Sequence, residues 1–378
     1  MNTPGSVKRP RLHYLDGIRG LAALIVALYH AQLFTGRFVP IQQLWPVLQP
    51  LGKIISFGYL AVPLFIVLSG YCLAIPVVLH DKKQIKGGFK TYISRRAKRI
   101  LPPYYFALGL FIIMILCIPV LQTPAQTAWD SKIPMTPIAV ITHLLLVHNL
   151  KSEWTFKIAG PLWSVATEWQ LYFLFPVLLY LWRRFNLLLI TLGCILLTII
   201  TAVFVGPANT MHLWFLGLFA LGVTGANISF SQHADWVKLH QLNWRIIANV
   251  SLLITIAILT LSKYIHLSYA VLETVIGFAA LILIIYYSKT EIEDKPRPLF
   301  QKLLNKRTLI YLGTFSYSVY LIHSPFLGLI NLLTLNITME PGMRWLFMQL
   351  VAVPLSIGVS YLFYILIEKR FILTPAKS

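Results

Sequence analysis

The segment YLDGIRGLAALIVALYH, residues 14–30, is an apolar run of membrane-spanning character that contains Asp16, Arg19 and His30. Charged side chains are costly in hydrocarbon, so those kept inside such a run are candidates for function. On an α-helix, the separation of Arg19 and His30 corresponds to three turns plus about 20° and a rise of about 16 Å. The two side chains are therefore predicted to share one helix face at different depths. The alternative is a snorkelling Arg19 and a hydrogen-bonded core histidine at position 30.

The composition of the whole chain is that of a membrane protein. Of its 378 residues, 57% are hydrophobic and 12% are charged, whereas soluble globular proteins carry about 25% charged residues. We predict an all-α polytopic membrane bundle of about ten transmembrane helices, each with about 20 apolar residues, that forms one domain over residues 1–378. The predicted spans are 15–34, 56–79, 103–122, 164–182, 187–206, 211–229, 246–263, 267–288, 308–333 and 343–368.

The net charge of +20 would suggest nucleic-acid binding in a soluble protein, but the positions of the basic residues indicate topology instead. Most Lys and Arg residues lie at the two termini or in alternate loops, such as 82–99 and 289–307. Because Lys and Arg accumulate in cytoplasmic loops, both termini are predicted to be cytoplasmic, and no nucleic-acid partner is expected. The three cysteines fall within predicted spans without metal-ligand spacing, so we expect no metal.

The longest loop, about 123–163, is predicted to lie on the outer side of the membrane. It contains the apolar run IAVITHLLLVH, residues 138–148. This run is too short to cross a bilayer. We therefore predict a short interfacial or re-entrant helix there.

Glu168 lies in PLWSVATEWQLYFLFP, residues 161–176, at a predicted depth similar to that of His30. A carboxylate beside an imidazole orients the ring and raises its basicity. Glu168 is therefore a candidate partner for His30. The alternative is an interfacial glutamate in an aromatic belt. Glu273 lies at a comparable depth, and the sequence assigns it no role.

The basic cluster 95–99 directly precedes a predicted span. Arg96 and Arg99, three residues apart, share a helix face, and Pro102 and Pro103 suit the first turn of a helix. Such a cluster can set topology, bind anionic lipid headgroups or bind a phosphorylated ligand. The spacing alone leaves these alternatives open.

Taken in order, six segments of the chain resemble the acyltransferase family 3 integral membrane proteins, which O-acylate bacterial glycans and some natural products. The resemblance extends over nearly the whole sequence. The segments are YLDGIRGLAALIVALYH (14–30), VPLFIVLSGYCL (62–73), RAKR (96–99), the region from THLLLVHNL to PLWSVATEWQLYFLFP (142–176), FSYSVYLIHSPF (315–326) and IEKRF (367–371).

The resemblance implies an integral protein of the bacterial inner membrane with an acyl-CoA donor, usually acetyl-CoA, bound from the cytoplasm. The acceptor would be a hydroxyl group of a saccharide or glycolipid. Arg19, Arg96 and Arg99 would then bind the donor, because guanidinium groups hold phosphate in a bidentate manner. The phosphopantetheine arm is comparable in length with the rise of about 16 Å from Arg19 to His30.

For the reaction, the expectation is that His30 acts as a general base or as an acyl carrier, assisted by Glu168. The resemblance further implies that Ser69, Tyr71, Tyr172 and His323 line the substrate path. Hydrogen bonding between helices is the alternative role for such polar side chains.

The long outer loop is a candidate acceptor-docking region through Trp129, Trp154, His143 and His148, since aromatic faces suit sugar rings. A folded cap on the membrane interface is the alternative. A glycolipid transporter or flippase is the alternative function, although no repeated halves are visible. The sequence specifies neither the acceptor, the acyl length nor the oligomeric state.

Overall fold

A computed structural model describes residues 12–79, 84–204, 212–213, 215–262 and 264–372. All regular structure within these ranges is helical, which confirms the all-α prediction. The α-helices are α1 (His13–Leu33), α2 (Gln49–Ile55), α3 (Val62–Leu79), α4 (Gly88–Cys117), α5 (Pro137–Leu144), α6 (Ser152–Thr155), α7 (Leu162–Arg184), α8 (Leu187–Phe204), α9 (Phe215–Phe230), α10 (Ala234–His240), α11 (Trp244–Leu261), α12 (Tyr269–Ile292), α13 (Leu299–Leu304), α14 (Arg307–Thr314), α15 (Ser316–Thr334), α16 (Pro341–Phe347) and α17 (Val353–Leu366).

Within the described ranges, six helical segments are long and apolar enough to cross a bilayer, and a seventh is obtained if α9 and α10, bent by 91°, count as one span. The chain is thus an integral membrane protein, but the predicted count of about ten is not confirmed. Helices α1, α8 and α15 occupy the three remaining predicted positions. The mean hydropathy of α1 is lowered by its polar residues Asp16, Arg19 and His30, and α1 is not among the six segments. The six segments are Gly58–Leu79, Gly88–Cys117, Leu162–Arg184, Trp244–Leu261, Tyr269–Ile292 and Pro341–Leu366.

Helix α4 corrects one predicted boundary. It begins at Gly88, which with the preceding Gly87 has positive φ (74° and 81°), and runs to Cys117 with Pro102 and Pro103 inside it. The prolines therefore do not start a helix, because the chain is already helical about four turns earlier. As a result, Arg96 and Arg99 lie on the same continuous helix as the apolar span.

Glycines in α1 and α14 allow α1 to approach α13 and α14 closely. A Cβ atom on Gly17 would lie 1.9 Å from the carbonyl oxygen of Leu304, and one on Gly313 would lie 1.9 Å from the carbonyl oxygen of Asp16. Small residues permit such backbone contacts between membrane helices. This packing sets the rotation of α1 and thereby the direction in which Arg19 and His30 point.

The described chain ends lie at the same end of the bundle. Asp16 contacts Gly313, at the end of α14, and Glu368 near the last described residue accepts a 3.1 Å hydrogen bond from the backbone N–H of Ser318 at the start of α15. Only Phe315 separates α14 from α15. This agrees with an even number of crossings, but the termini themselves lie outside the described residues, as does part of the basic loop 82–99.

The long loop is folded rather than extended. It contains the predicted short helix as α5, and its backbone is bound to α4, because Tyr104 and Tyr105 each donate a 2.8 Å hydrogen bond to the carbonyls of His143 and Leu144. Trp129 is buried, with its indole N–H donating to the carbonyl of Leu121 at 3.0 Å. The loop therefore forms a cap over the ends of the helices.

Candidate active site

Two adjoining cavities contain most of the ionisable residues that the sequence singles out. The first, called here the arginine cavity, has a volume of about 250 Å³ and is lined by helices α1, α3, α4, α7 and α15. Its polar lining comprises Arg19, Ser69, Cys72, Arg96, Arg99, Ser164, Glu168, Tyr172, Ser316, Tyr317 and Tyr320. All three arginines that were predicted to bind the donor thus line one cavity.

Arg19 is held in place by short contacts to two side chains. Its Nη1 donates to a carboxylate oxygen of Asp16 at 2.8 Å, and its Nη2 donates to Sγ of Cys72 at 3.1 Å. A guanidinium group has five N–H donors, so these contacts orient Arg19 and leave donors for a ligand. The second turn of α1 thereby presents the guanidinium of Arg19 to the arginine cavity.

Arg96 lies over the ring of Tyr172, with 5.9 Å from its guanidinium carbon to the ring centroid. Its Nε is buried, and no acceptor among the described residues lies within hydrogen-bonding distance of it. Buried donors in proteins are almost always bonded, so this nitrogen is suited to an anionic group that enters the cavity. Arg99, one turn away, is exposed at the mouth.

Glu168 belongs to the same cavity and not to a pair with His30. Its carboxylate accepts a 2.5 Å hydrogen bond from the hydroxyl of Tyr172, which in turn accepts one of 3.3 Å from Ser69. The predicted hydrogen bond between Glu168 and His30 is therefore not formed. The reason is Tyr320, which bonds Ser164 one turn before Glu168 on α7 and lies between Glu168 and the second cavity.

The second cavity, called here the histidine cavity, has a volume of about 1080 Å³. His30 on α1 lines it, together with Glu273 on α12 and Lys132 in the long loop. Its aromatic lining comprises Tyr29, Phe34, Phe38, Tyr59, Phe156, Trp163, Tyr269 and Tyr320. Since Arg19 and His30 line the two adjoining cavities, α1 extends along both, as the helical spacing predicts.

His30 pairs with a second histidine. Its Nδ1 lies 2.9 Å from the carbonyl oxygen of Val26 and 3.2 Å from Nε2 of His323, whose own Nδ1 lies 2.8 Å from the carbonyl of Val319. A carbonyl only accepts, so both Nδ1 atoms carry the proton. The Nδ1–H of His30 is then shared between the carbonyl of Val26 and Nε2 of His323. Nε2 of His30 is left unprotonated, and no group among the described residues hydrogen-bonds it.

Val62 and Tyr320 line both cavities and form the partition between them. The Tyr320 hydroxyl is 2.5 Å from Oγ of Ser164, and its ring packs edge-on against Phe65 with centroids 5.7 Å apart. Its ring also lies 6.0 Å from that of His323. Tyr320 and Val62 therefore separate the arginine cavity from the cavity that His30 lines.

The four residues expected to line the substrate path lie in three different places. Ser69 and Tyr172 line the arginine cavity, and buried His323 contacts His30. Tyr71 lines neither cavity and instead donates to Ser229 at 3.0 Å and bonds Ser288. Tyr71 points away from Ser69 because residues two apart on a helix point in directions about 200° apart.

The aromatic loop residues predicted to dock an acceptor do not line the histidine cavity. Trp129 is buried, and His143 and His148 form a buried stack with centroids 3.7 Å apart. Burial lowers the pKa of His143 to about 4. Trp154 carries Lys151 over its ring. The loop does line the cavity, but through the residues Thr127, Ala128, Asp130, Ser131, Lys132, Phe156, Gly160 and Pro161.

Sequence reasoning missed Tyr320 and Lys132. Tyr320 stands three residues before His323 in FSYSVYLIHSPF, where helical periodicity puts both on one face. Lys132 is one of the few lysines in a loop predicted to be outside, where Lys and Arg are scarce. Each could have been found by asking which polar residues depart from the surrounding pattern.

Comparisons with known proteins point in one direction. Residues 12–365 match a family model described as an acyltransferase domain. The chain is 24% identical to the O-acetyltransferase OatA of Staphylococcus aureus over 84% of this chain and 51% of that protein. It is also 33% identical to protein 2 in the picA locus of Rhizobium radiobacter, over 43% of this chain and 76% of that protein. No solved structure matches the chain.

Proposed function

The chain belongs to the acyltransferase family whose domain model matches residues 12–365, and from this premise we propose that it transfers an acetyl group from acetyl-CoA to a hydroxyl of a saccharide or glycolipid. The alignment with OatA, named as an O-acetyltransferase, covers about half of that protein. That name supports O-acetyl transfer as the reaction. The observation that carries the proposal is the free Nε2 of His30, next to a cavity lined by arginines.

The arginine cavity is suited to the CoA portion of the donor. CoA carries phosphate groups, and arginine binds phosphate through charge-assisted bidentate hydrogen bonds. The exposed guanidinium of Arg99 lies at the mouth, the unpartnered Nε of Arg96 is buried, and Arg19 contacts Cys72. The pantetheine arm and its thioester would then extend past Tyr320 toward His30.

His30 would act as the general base. Its Nε2 takes the proton of the acceptor hydroxyl while the oxygen attacks the thioester carbonyl, and the C–S bond of the tetrahedral intermediate then breaks. The proton passes from His30 to the departing CoA sulfur, so that an ester and free CoA are formed. His323 supports this cycle because its Nε2 accepts the Nδ1–H of His30 and so stabilises the imidazolium.

An acyl-histidine route uses the same atoms in two steps. Nε2 of His30 attacks the thioester and releases CoA, and the acceptor hydroxyl then takes the acetyl group from the imidazole. This route would let the acetyl group reach the histidine cavity while CoA stays in the arginine cavity. Trapping of an acetylated protein from labelled acetyl-CoA without acceptor would favour it over direct transfer.

Glu168 is assigned to donor binding in this scheme. Its carboxylate fixes the Tyr172 hydroxyl, and Tyr172 lies beneath the guanidinium of Arg96. This replaces the expectation that Glu168 orients His30.

The proposed orientation follows from the charge pattern. The end of the bundle with Arg96 and Arg99 would face the cytoplasm, where acetyl-CoA is found, and the long loop would face outward. The protein would then reside in a bacterial inner membrane, with the acceptor reaching the histidine cavity from the outer side.

The test measures acetyl transfer and CoA release by the full-length protein in detergent. Radiolabelled acetyl-CoA is the donor and surface glycans are the acceptor. We expect labelled ester and free CoA in equal amounts, and none from His30→Gln. A glycolipid transporter or flippase would release no CoA. The absence of both CoA release and ester from folded wild-type protein would refute the proposal.

A further inference from the structure

A buried lysine faces the histidine cavity in a place where no catalytic role has been assigned. Lys132 ends the short helical segment Ala128–Lys132 in the long loop, and only 8% of its surface is exposed. It lines the same cavity as His30, on a wall formed by the loop. Its position is therefore on the side from which an acceptor would approach.

The ammonium group of Lys132 has no acidic partner in the described part of the chain. Its Nζ donates to Oγ of Ser131 at 2.9 Å and lies 5.3 Å from the centroid of the Phe156 ring. The nearest acid in sequence, Asp130, accepts backbone N–H groups of Ala125 and Gln126 at 3.1 and 2.9 Å. The carboxylate of Asp130 is therefore engaged in holding the loop.

A buried ammonium that lacks a counter-ion is costly and readily accepts an anion. Burial and the charge of Lys157 lower the pKa of Lys132 to about 8. The side chain is therefore mostly protonated at neutral pH. It places a positive charge against a cavity whose walls are largely apolar and whose acidic lining residues are Asp130 and Glu273.

The remaining walls of the histidine cavity suit a carbohydrate. Tyr29, Tyr59, Trp163 and Tyr269 come from four different segments and converge on it. Trp163 is itself fixed by stacking on His212, with ring centroids 3.8 Å apart. Rigid aromatic faces bury the apolar faces of sugar rings at low entropic cost. Aromatic walls with one buried cation are therefore matched to a charged sugar.

We propose that the histidine cavity selects an anionic saccharide acceptor, whose carboxylate or phosphate group pairs with Lys132. This rests on the proposed acetyl transfer, because it names the class of acceptor for that reaction. The pairing would hold the acceptor with one end fixed at the loop wall. A hydroxyl group of the same molecule could then reach Nε2 of His30.

The test is binding of three probes to the full-length protein in detergent by calorimetry at pH 7. The probes are a neutral glucose tetrasaccharide, the corresponding tetraglucuronate, and the neutral tetrasaccharide carrying one phosphate. The proteins are wild type, Lys132→Met, Lys132→Arg and the control Lys151→Met, which alters an exposed lysine of the same loop outside the cavity.

We expect wild type and Lys151→Met to bind at least one anionic probe about tenfold more tightly than the neutral one, as a hydrogen bond to a charged group predicts. Lys132→Met should lose this preference while its affinity for the neutral probe stays unchanged. Lys132→Arg should keep most of it. The carboxylate and phosphate arms identify which anion is preferred.

Two results would overturn the inference: equal affinities of wild type for all three probes, or a preference that persists in Lys132→Met. Binding of acetyl-CoA by each variant reports whether the protein is folded. Because the probes are measured without turnover, loss of the anionic preference is distinguishable from failure of the acetyl-transfer proposal, which is tested by CoA release.

Discussion

The arginine cavity and the histidine cavity differ in size, charge and lining although they share Val62 and Tyr320. The former has about 250 Å³ and three guanidinium groups, and the latter about 1080 Å³, a histidine pair and aromatic walls. A narrow, permanently cationic space suits one phosphorylated ligand. A wide, mostly apolar space tolerates a larger and more variable one. The difference indicates that donor recognition and acceptor recognition are separated across one tyrosine.

The largest expected effect concerns the histidine cavity. His30→Gln should lower kcat for acetyl transfer by about a thousandfold, since general base catalysis contributes on this scale. Affinity for CoA, measured by calorimetry, should not change. The matched control is His266→Ala, which alters an exposed histidine that lines neither cavity. A His30→Gln protein with more than a tenth of wild-type kcat would contradict the assignment of catalysis to His30 in the histidine cavity.

The next effect concerns the arginine cavity. Arg96→Ala should raise KM for acetyl-CoA by about 10 to 100-fold, because charge-assisted hydrogen bonds contribute about 1.5–3 kcal/mol. At saturating donor, kcat should stay within about twofold. The control is Arg95→Ala, whose guanidinium is bound to the carbonyls of Thr91 and Lys86. Equal KM values for the two variants would place the phosphate site elsewhere.

The charge of the histidine cavity, unlike that of the arginine cavity, should depend on pH. Lys132, with a pKa of about 8, is protonated below that value, so anionic acceptor binding should be present at pH 7 and fall about fivefold by pH 9. Groups facing or near it are Asp130, Lys157, His30, His212 and Glu273. Arginine stays protonated throughout this range. CoA affinity is measured on the same samples. A parallel fall in CoA affinity would contradict the claim that only the histidine cavity changes its charge in this pH range.

A smaller effect is expected at the second histidine. His323→Ala should lower kcat by about fivefold, the value of one hydrogen bond near 1 kcal/mol, because it removes one of the two acceptors of the His30 Nδ1–H and leaves only the carbonyl of Val26. His323→Gln restores an acceptor and should recover part of the rate. The pH profile of kcat should shift in His323→Ala alone. An unchanged pH profile would contradict a role of His323 in proton transfer and indicate that it only packs against His30.

The smallest effect is expected for Glu168→Gln. It should raise KM for acetyl-CoA by about threefold, as expected for a weakened hydrogen bond to Tyr172, and leave the pH profile of kcat unchanged. The comparison is with Arg96→Ala, measured under the same conditions. A loss of kcat as large as in His30→Gln would contradict the donor-binding role and indicate that Glu168 acts in catalysis.

The sequence predicted what helical periodicity controls. The shared face of Arg19 and His30 and the pairing of Arg96 with Arg99 follow from residue spacing within one helix, and the structure places these residues along two adjoining cavities. The short helix in the long loop likewise follows from the length of its apolar run. Each of these depends on local geometry alone.

The sequence did not predict what depends on packing between helices. The separation of Glu168 from His30 arises from Tyr320, which α15 inserts between α7 and α1. Tyr71 is turned away because Gly70 packs α3 against the backbone of α9, where a Cβ would lie 2.2 Å from the carbonyl oxygen of Phe219. Relative depth and rotation of neighbouring helices are tertiary properties.

The most direct test of the division into two cavities compares two donors in two variants. Acetyl-CoA carries phosphates, whereas S-acetyl-N-acetylcysteamine carries the thioester without them. With Arg96→Ala, kcat/KM should fall about 10 to 100-fold for acetyl-CoA and stay near wild type for the short thioester, while His30→Gln should lose transfer from both. Equal losses for the two donors in Arg96→Ala, or transfer retained by His30→Gln, would contradict the separation of donor binding from catalysis.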